Sequence, residues 1–244
     1  MNILLSQIGT PCECFITTSL IKGLQKKYDN VNISIIVKSV LQKKIFAHNQ
    51  SVANVFLLNN IKSILPEYDV FINLSPDLPI SYKESVKSQL TCGFGFDEKN
   101  DKYVDILYGD KKTHRNIFQV YFSIAGLTWK GESYDFHYYP HSRTNKKKAG
   151  IAIVNANIRS QIAEKLLLSS SKLWNIPYKK NFFSKIDEIN KCQYVVTDDI
   201  VSMHLAVFLR KYVYFFETNS STTEPEFFGK GETVSIPAEF LRWF

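Results

Sequence analysis

Short runs of β-branched and apolar residues recur along this chain, separated by segments of helical spacing, and that rhythm admits few folds. Asn2 to Gln7, Asn32 to Val37, Val52 to Leu58 and Val70 to Leu74 each read as a strand. Between the first two, Thr17 to Lys27 sets Leu20, Ile21 and Leu24 on one helical face and Lys22, Lys26 and Lys27 on the other. Val40 to His48 reads as a second helix. Strands apolar on both sides and joined by helices predict βαβ units and a parallel sheet covered on both faces.

The rhythm continues, interrupted once. Ile80 to Leu90 reads as helical, and Gln89 to Phe96 as a short strand ending in Gly93-Phe94-Gly95-Phe96, where the glycines form a turn. From His114 to Leu127 a helix presents Ile117, Phe118, Tyr121, Phe122 and Ile124 at core spacing and stops at Gly126. Between Tyr138 and Lys148 the chain is polar, with Pro140 and three consecutive lysines, and this places a boundary between lobes 1–142 and 149–244. The rhythm restarts with a strand at Gly150 to Asn155 and a helix at Gln161 to Leu168, followed by a less regular stretch to Lys180. Helices over Phe182 to Lys191, Val201 to Leu209 and Pro237 to Trp243 then enclose strands at Tyr194 to Asp198 and Tyr212 to Glu217. The expected architecture is α/β, with two Rossmann-type doubly wound lobes and the second one reduced.

Length and composition narrow the function classes. The 244 residues suffice for two lobes with cores, and 45% hydrophobic against 22% charged residues is a globular composition. A net charge of +7 favours phosphorylated or otherwise anionic partners, anionic membrane surfaces among them. The basic residues are scattered, the one tight cluster being Lys146-Lys147-Lys148, so nucleic acid is not an expected partner. Cys12, Cys14, Cys92 and Cys192 lack metal spacing and read as reduced thiols of a cytoplasmic protein. No basic leader precedes the first strand, and the longest apolar runs fall far short of the ~20 residues of a membrane helix.

In open parallel sheets ligands bind beyond the carboxyl ends of the strands, which directs attention to three loops. In Gln7 to Thr18, Glu13 sits just before the expected helix start, with Thr17-Thr18 placed to cap it. A carboxylate there takes a proton from a hydroxyl, or simply complements the helix dipole. Val195 to Ala206 runs from a strand through Asp198-Asp199 into a helix whose N-H groups suit an anion, with Ser202 and His204 within reach of phosphate or ribose oxygens. In the plainer alternative Asp199 and Ser202 are caps and His204 is a core imidazole. The third loop, Glu217 to Pro225, is rich in hydroxyls and either closes over a nucleotide or is a solvated connector.

These loops, in this order, resemble the heptosyltransferases, the glycosyltransferase family 9 enzymes of lipopolysaccharide core assembly, which have the GT-B architecture. Ile3 to Gly9, followed by Cys12-Glu13-Cys14-Phe15-Ile16-Thr17-Thr18, is similar to the family's first strand, its Gly-Asp loop and its Thr-Thr-Pro helix start. Tyr68 to Leu74, Gly93 to Asp97 and His114 to Leu127 match later landmarks. The strongest match is Tyr194 to Leu209, similar to the family's Val-Val-Thr-Asn-Asp-Ser-Gly-Pro-Met-His-Leu-Ala block. The resemblance implies a cleft between the lobes and transfer of a heptose-like sugar from a nucleotide-diphosphate donor to a hydroxyl of a glycan or glycolipid acceptor. It implies inversion, with no metal and no cofactor besides the donor. Glu13 matches the family's catalytic aspartate, Asp199 would face the donor sugar, and Ser202, Met203, His204, Thr218 and Arg159 would line the diphosphate side. Thr10 and Asp77 would stand on the acceptor side.

The sequence also departs from the family. Cys12 stands at a glycine position, and Ile200-Val201-Ser202 replaces Ser-Gly-Pro, so the close backbone approach to phosphate that glycine permits is altered. Between Asn155 and Phe182 the family's strand and helix units are not recognisable, and Ser75 to Pro79 lacks the basic residue that meets an anionic acceptor. A second expectation follows, that of a non-catalytic family member binding a ligand or a partner. Tyr138, Tyr139, Trp243 and Phe244 are candidate association residues that leave room for a homodimer. Both expectations place the protein in the cytoplasm, where peripheral contact with the inner face of the inner membrane suits a glycolipid acceptor.

Overall fold

A computed structural model describes residues 1–63, 67–97, 101, 117–138, 150–154, 172–176, 181–197, 199–215 and 234–236. The chain divides into two compact units, Met1–Tyr138 and Tyr139–Phe244.

In the first unit β1 (Asn2–Ser6), β2 (Asn32–Val37), β3 (Val52–Leu57), β4 (Tyr68–Asn73) and β5 (Ser88–Gly93) form one sheet in the order β3-β2-β1-β4-β5. Every pairing is parallel. The order makes β1 the pivot, because the chain winds outward through β2 and β3 and then returns to the far side of β1 with β4. Ile3, Leu4 and Leu5 at that pivot are buried on both faces, each stabilising the fold by about 1.5–3 kcal/mol of transfer free energy. On one face Leu4, Ile36, Phe71, Leu78 and Val86 form a cluster. On the other lies α1 (Pro11–Lys27), beside which packs α4 (Ile117–Ile124). Ile117, Phe118, Tyr121, Phe122 and Ile124 are all buried, as their spacing predicts.

Two boundaries differ from the sequence expectation. α1 begins at Pro11, not Thr17, because Thr10 and Glu13 close a capping box and Pro11 is pre-set for the first helical position. Thr17 and Thr18 therefore lie inside the helix, their hydroxyls donating to the carbonyls of Glu13 (2.8 Å) and Phe15 (2.6 Å). The second helix of the unit, α2 (Val40–Phe46), falls where expected, whereas α3 (Ile80–Ser85) stops short and the chain is already extended at Val86. Val86 is buried in the cluster under the sheet, and this fit overrides the helical spacing that reaches to Leu90. Residues 127–138 run back over α1, where Tyr134 stacks on Phe15 with centroids 4.3 Å apart. Tyr138, expected on an association surface, is partly buried and stacks on Phe136.

The second unit holds β6 (Gly150–Val154), β7 (Lys172–Ile176), α5 (Phe182–Asn190), β8 (Tyr194–Thr197), α6 (Ile200–Phe208), β9 (Tyr212–Phe215) and β10 (Val234–Ile236). The sheet order is β10-β9-β8-β6-β7, parallel except for β10, which runs antiparallel to β9. β7 corrects the expectation of an irregular stretch before Lys180. Among the described strands it pairs with β6 alone, at the end of the sheet, and edge strands tolerate the polar residues that blur its pattern. β10, three residues long, is too short to register as a strand in the sequence. The expected helices at 161–168 and 237–243 and the lysine run 146–148 lie outside the described residues. Among the described residues no helix is long and apolar enough to cross a membrane.

Candidate functional site

The carboxyl ends of β1 and β4 diverge at the point where the first sheet's winding reverses, and a buried polar cluster fills that place. Gln7, which follows β1, is its hub and is fully buried. Its side-chain oxygen accepts from the Gly9 amide at 3.0 Å and from the Ser75 hydroxyl at 3.0 Å. Its side-chain amide donates to Tyr121 Oη at 3.0 Å and to Thr17 Oγ1 at 3.3 Å. Ser75 in turn accepts from the Ile8 amide at 2.8 Å, tying the loop after β4 to the loop after β1. Gln42, on α2, donates to the Gly9 carbonyl and closes the third side.

Glu13 sits at this cluster in the first turn of α1 and is 5% exposed. One carboxylate oxygen accepts from the Thr10 amide at 2.6 Å, and the other accepts from Tyr121 Oη at 3.4 Å. The positive end of the α1 dipole favours the negative charge there. Gly9 leaves the carboxylate its space, since a Cβ at that position would lie 2.4 Å from a Glu13 oxygen. Thr10, the expected acceptor-side partner, is the N-cap of α1, its hydroxyl accepting from the Glu13 amide at 3.2 Å. Asp77 is exposed in the turn after β4 and takes no part in the cluster. Nearby Cys14 is no nucleophile, because burial, reinforced by Glu13 and Cys12, pushes its thiol well above the ordinary range.

In the second unit the turn from β8 into α6 gathers the expected donor-side residues. Asp199 caps α6, accepting from the amide of Ser202 at 3.1 Å and from its hydroxyl. Its own amide donates to Thr197 Oγ1 at 2.9 Å. The same carboxylate oxygen receives Lys185 Nζ at 2.7 Å, and the two side chains are only 6% and 5% exposed. Ser202, Met203 and His204 are buried on α6. Burial pushes the His204 imidazole down to about 3 against the opposing pull of Asp199, so it is neutral at neutral pH. Arg159 and Thr218 lie outside the described residues.

Two participants were not foreseen, Gln7 and Lys185. The sequence did carry a signal for the second: Phe182, Lys185, Ile186 and Ile189 occupy one helical stripe, all four buried, and a lysine in such a stripe needs an anion. Gln7 carried a weaker one, a polar residue directly after a strand buried on both faces.

Two doubly wound α/β units in one chain, with polar clusters at the carboxyl ends of their strands, are the parts of which a GT-B fold is built. Among solved structures the chain is similar to the E. coli heptosyltransferase WaaC solved with ADP, with a TM-score of 0.65 at 11% identity over 95% of this chain and 91% of that one. The glycosyl transferase family 9 protein of Veillonella parvula gives 0.62 at 12% identity over 92% and 83%. E. coli ADP-heptose LPS heptosyltransferase II gives 0.58 at 12% identity over 99% and 96%. No protein-family model and no curated protein matches the sequence. At these identities the likeness is one of fold, and it extends through both units.

Proposed function

We propose that the chain is a metal-independent glycosyltransferase that moves a heptose-like sugar from a nucleoside-diphosphate donor to a hydroxyl of a lipopolysaccharide or other surface glycan, with inversion. The observation that carries this reading is Glu13, a buried carboxylate held at the switch point of the first sheet in a fold shared with heptosyltransferases. In such a displacement the acceptor oxygen bonds to the anomeric carbon as its proton passes to Glu13, while the bond from that carbon to the diphosphate breaks and the nucleoside diphosphate leaves. Thr10 and Asp77 belong to the acceptor side; Asp199, Ser202, Met203, His204, Arg159 and Thr218 belong to the donor side. A neutral His204 offers the diphosphate a hydrogen bond, not a charge. The net charge of +7 suits a glycolipid acceptor at an anionic membrane surface.

The test is a thermal-shift series with ADP, UDP, GDP and CDP and their sugar conjugates. Selective stabilisation by one nucleotide is expected, about 2.7 kcal/mol at a hundred times its Kd, followed by turnover that Glu13→Gln abolishes while donor binding survives. Indifference to every nucleotide, or full turnover by E13Q, refutes the reading.

A second reading, a binding protein of the same fold without catalysis, is favoured by one feature. Both Glu13 oxygens already accept hydrogen bonds, and Asp199 is occupied by Lys185. It expects nucleotide stabilisation with no turnover.

A further inference from the structure

The hydrogen bonds around Gln7 orient the side chains of Gln7, Ser75, Thr17 and Tyr121, and this singles out one residue besides Glu13. Main-chain N-H groups can only donate. The Gly9 amide, 3.0 Å from Gln7 Oε1, therefore settles which way the Gln7 side chain faces; a flipped amide would set an NH2 against an N-H. The Ile8 amide likewise donates to Ser75, so the Ser75 proton goes to Gln7 Oε1. The Gln7 NH2 must then point at Thr17 and Tyr121 and donate to both. Thr17, receiving from Gln7, sends its own proton to the Glu13 carbonyl at 2.8 Å. Tyr121, receiving from Gln7 at 3.0 Å, has its proton directed to Glu13 Oε1 at 3.4 Å.

We propose that Tyr121, oriented by Gln7, is the positioning residue of the Glu13 carboxylate, donating to it the hydrogen bond that fixes the rotamer in which Glu13 meets an acceptor hydroxyl. This rests on the reading of Glu13 as the base. The Thr10 amide holds one carboxylate oxygen from the helix start, and Tyr121 holds the other from α4. Donors on opposite oxygens restrain the carboxylate plane, and losing the one from Tyr121 loosens rotation about the last side-chain bond. Tyr121 acts only through Glu13; it is 1% exposed and does not itself reach a ligand.

The experiment is Tyr121→Phe, which keeps the buried ring and removes only the hydroxyl. With the donor identified by thermal shift, kcat falls about tenfold to a hundredfold, the rate equivalent of one hydrogen bond to a charged group. KM for the donor stays within about twofold and thermal unfolding shifts by only a few degrees, a split that general loosening of the fold does not give. Turnover by Y121F within twofold of wild type overturns the proposal, and so does a loss that lies in KM or follows the melting temperature. Glu13→Gln is measured alongside. If E13Q abolishes turnover while Y121F keeps it, this proposal alone fails. If E13Q turns over normally, or the wild type turns over no nucleotide sugar, the reading of Glu13 fails and this one with it.

Discussion

Lys185 and Asp199 lend themselves to a double-mutant cycle whose outcome follows from their burial. The ion pair spans 2.7 Å with 6% and 5% of the side chains exposed, so both charges are desolvated and depend on each other. Lys185→Met leaves a buried carboxylate held, among the described residues, by the amide and hydroxyl of Ser202 and the start of α6. Stranding one partner of a buried pair costs about 3–5 kcal/mol, and those remaining donors place this variant near the lower end, about 3 kcal/mol. Asp199→Asn removes the counter-charge of the buried lysine instead, at a similar cost, since asparagine serves equally well as an N-cap. The double variant removes both charges of the pair and is expected to cost less than either single one, a coupling of at least about 3 kcal/mol. Urea unfolding followed by fluorescence in a Trp129→Phe background reads this directly, because the remaining tryptophans, Trp174 and Trp243, both belong to the second unit. Additivity of the two single effects within about 0.5 kcal/mol would refute the mutual dependence.

Acidification probes His204. Its folded value of about 3 lies below the ~6.5 of an unfolded histidine, so between those limits the unfolded chain binds a proton that the folded chain does not, and stability falls as pH falls. The second unit is expected to lose about 1.4 kcal/mol per pH unit in that window from this residue, and His204→Leu to lose correspondingly less; the same fall in unfolding free energy from pH 7 to pH 5 in wild type and variant, measured by urea titration at each pH, would contradict the burial. In the first unit, Gly93→Ala and Gly126→Ala form a pair: both have positive φ, but a Cβ at Gly93 meets the Asn73 carbonyl oxygen at 2.1 Å while one at Gly126 meets nothing within 4 Å. Gly126→Ala is expected to cost about 1–2 kcal/mol of backbone strain and Gly93→Ala clearly more, and equal losses in urea unfolding would argue against the contact.

Much of this architecture is legible in the sequence because it is written in period and β-branching, which act locally. β2 begins and ends where its run of isoleucines predicts, and the stripe from Ile117 to Ile124 is the buried helix face it reads as. What escaped depends on partners distant in sequence. Val86 leaves its helix because Tyr68 and Phe71 accept it in the core. β7 is recognisable through its pairing with β6, not through its composition. The sequence singles out the Glu13 carboxylate but not its surroundings, since Tyr121 lies 108 residues away and Ser75 lies 68 from Gln7. One signal was local and readable: Thr10-Pro11-Cys12-Glu13 is a capping box with proline at the first helical position, and it places Glu13 inside the helix. The match of Asp199 to a donor-facing residue gave no hint of Lys185, which reaches it from another helix.

The two sheets draw their strands from separate stretches of the chain, residues 2–93 for one and 150–236 for the other. During synthesis, all five strands of the first sheet have therefore been made before the first strand of the second exists. The N-terminal unit can thus acquire its hydrogen-bonded ladder, and the polar cluster around Gln7, while the rest is still being translated. Errors in completing the later sheet need not undo the earlier one.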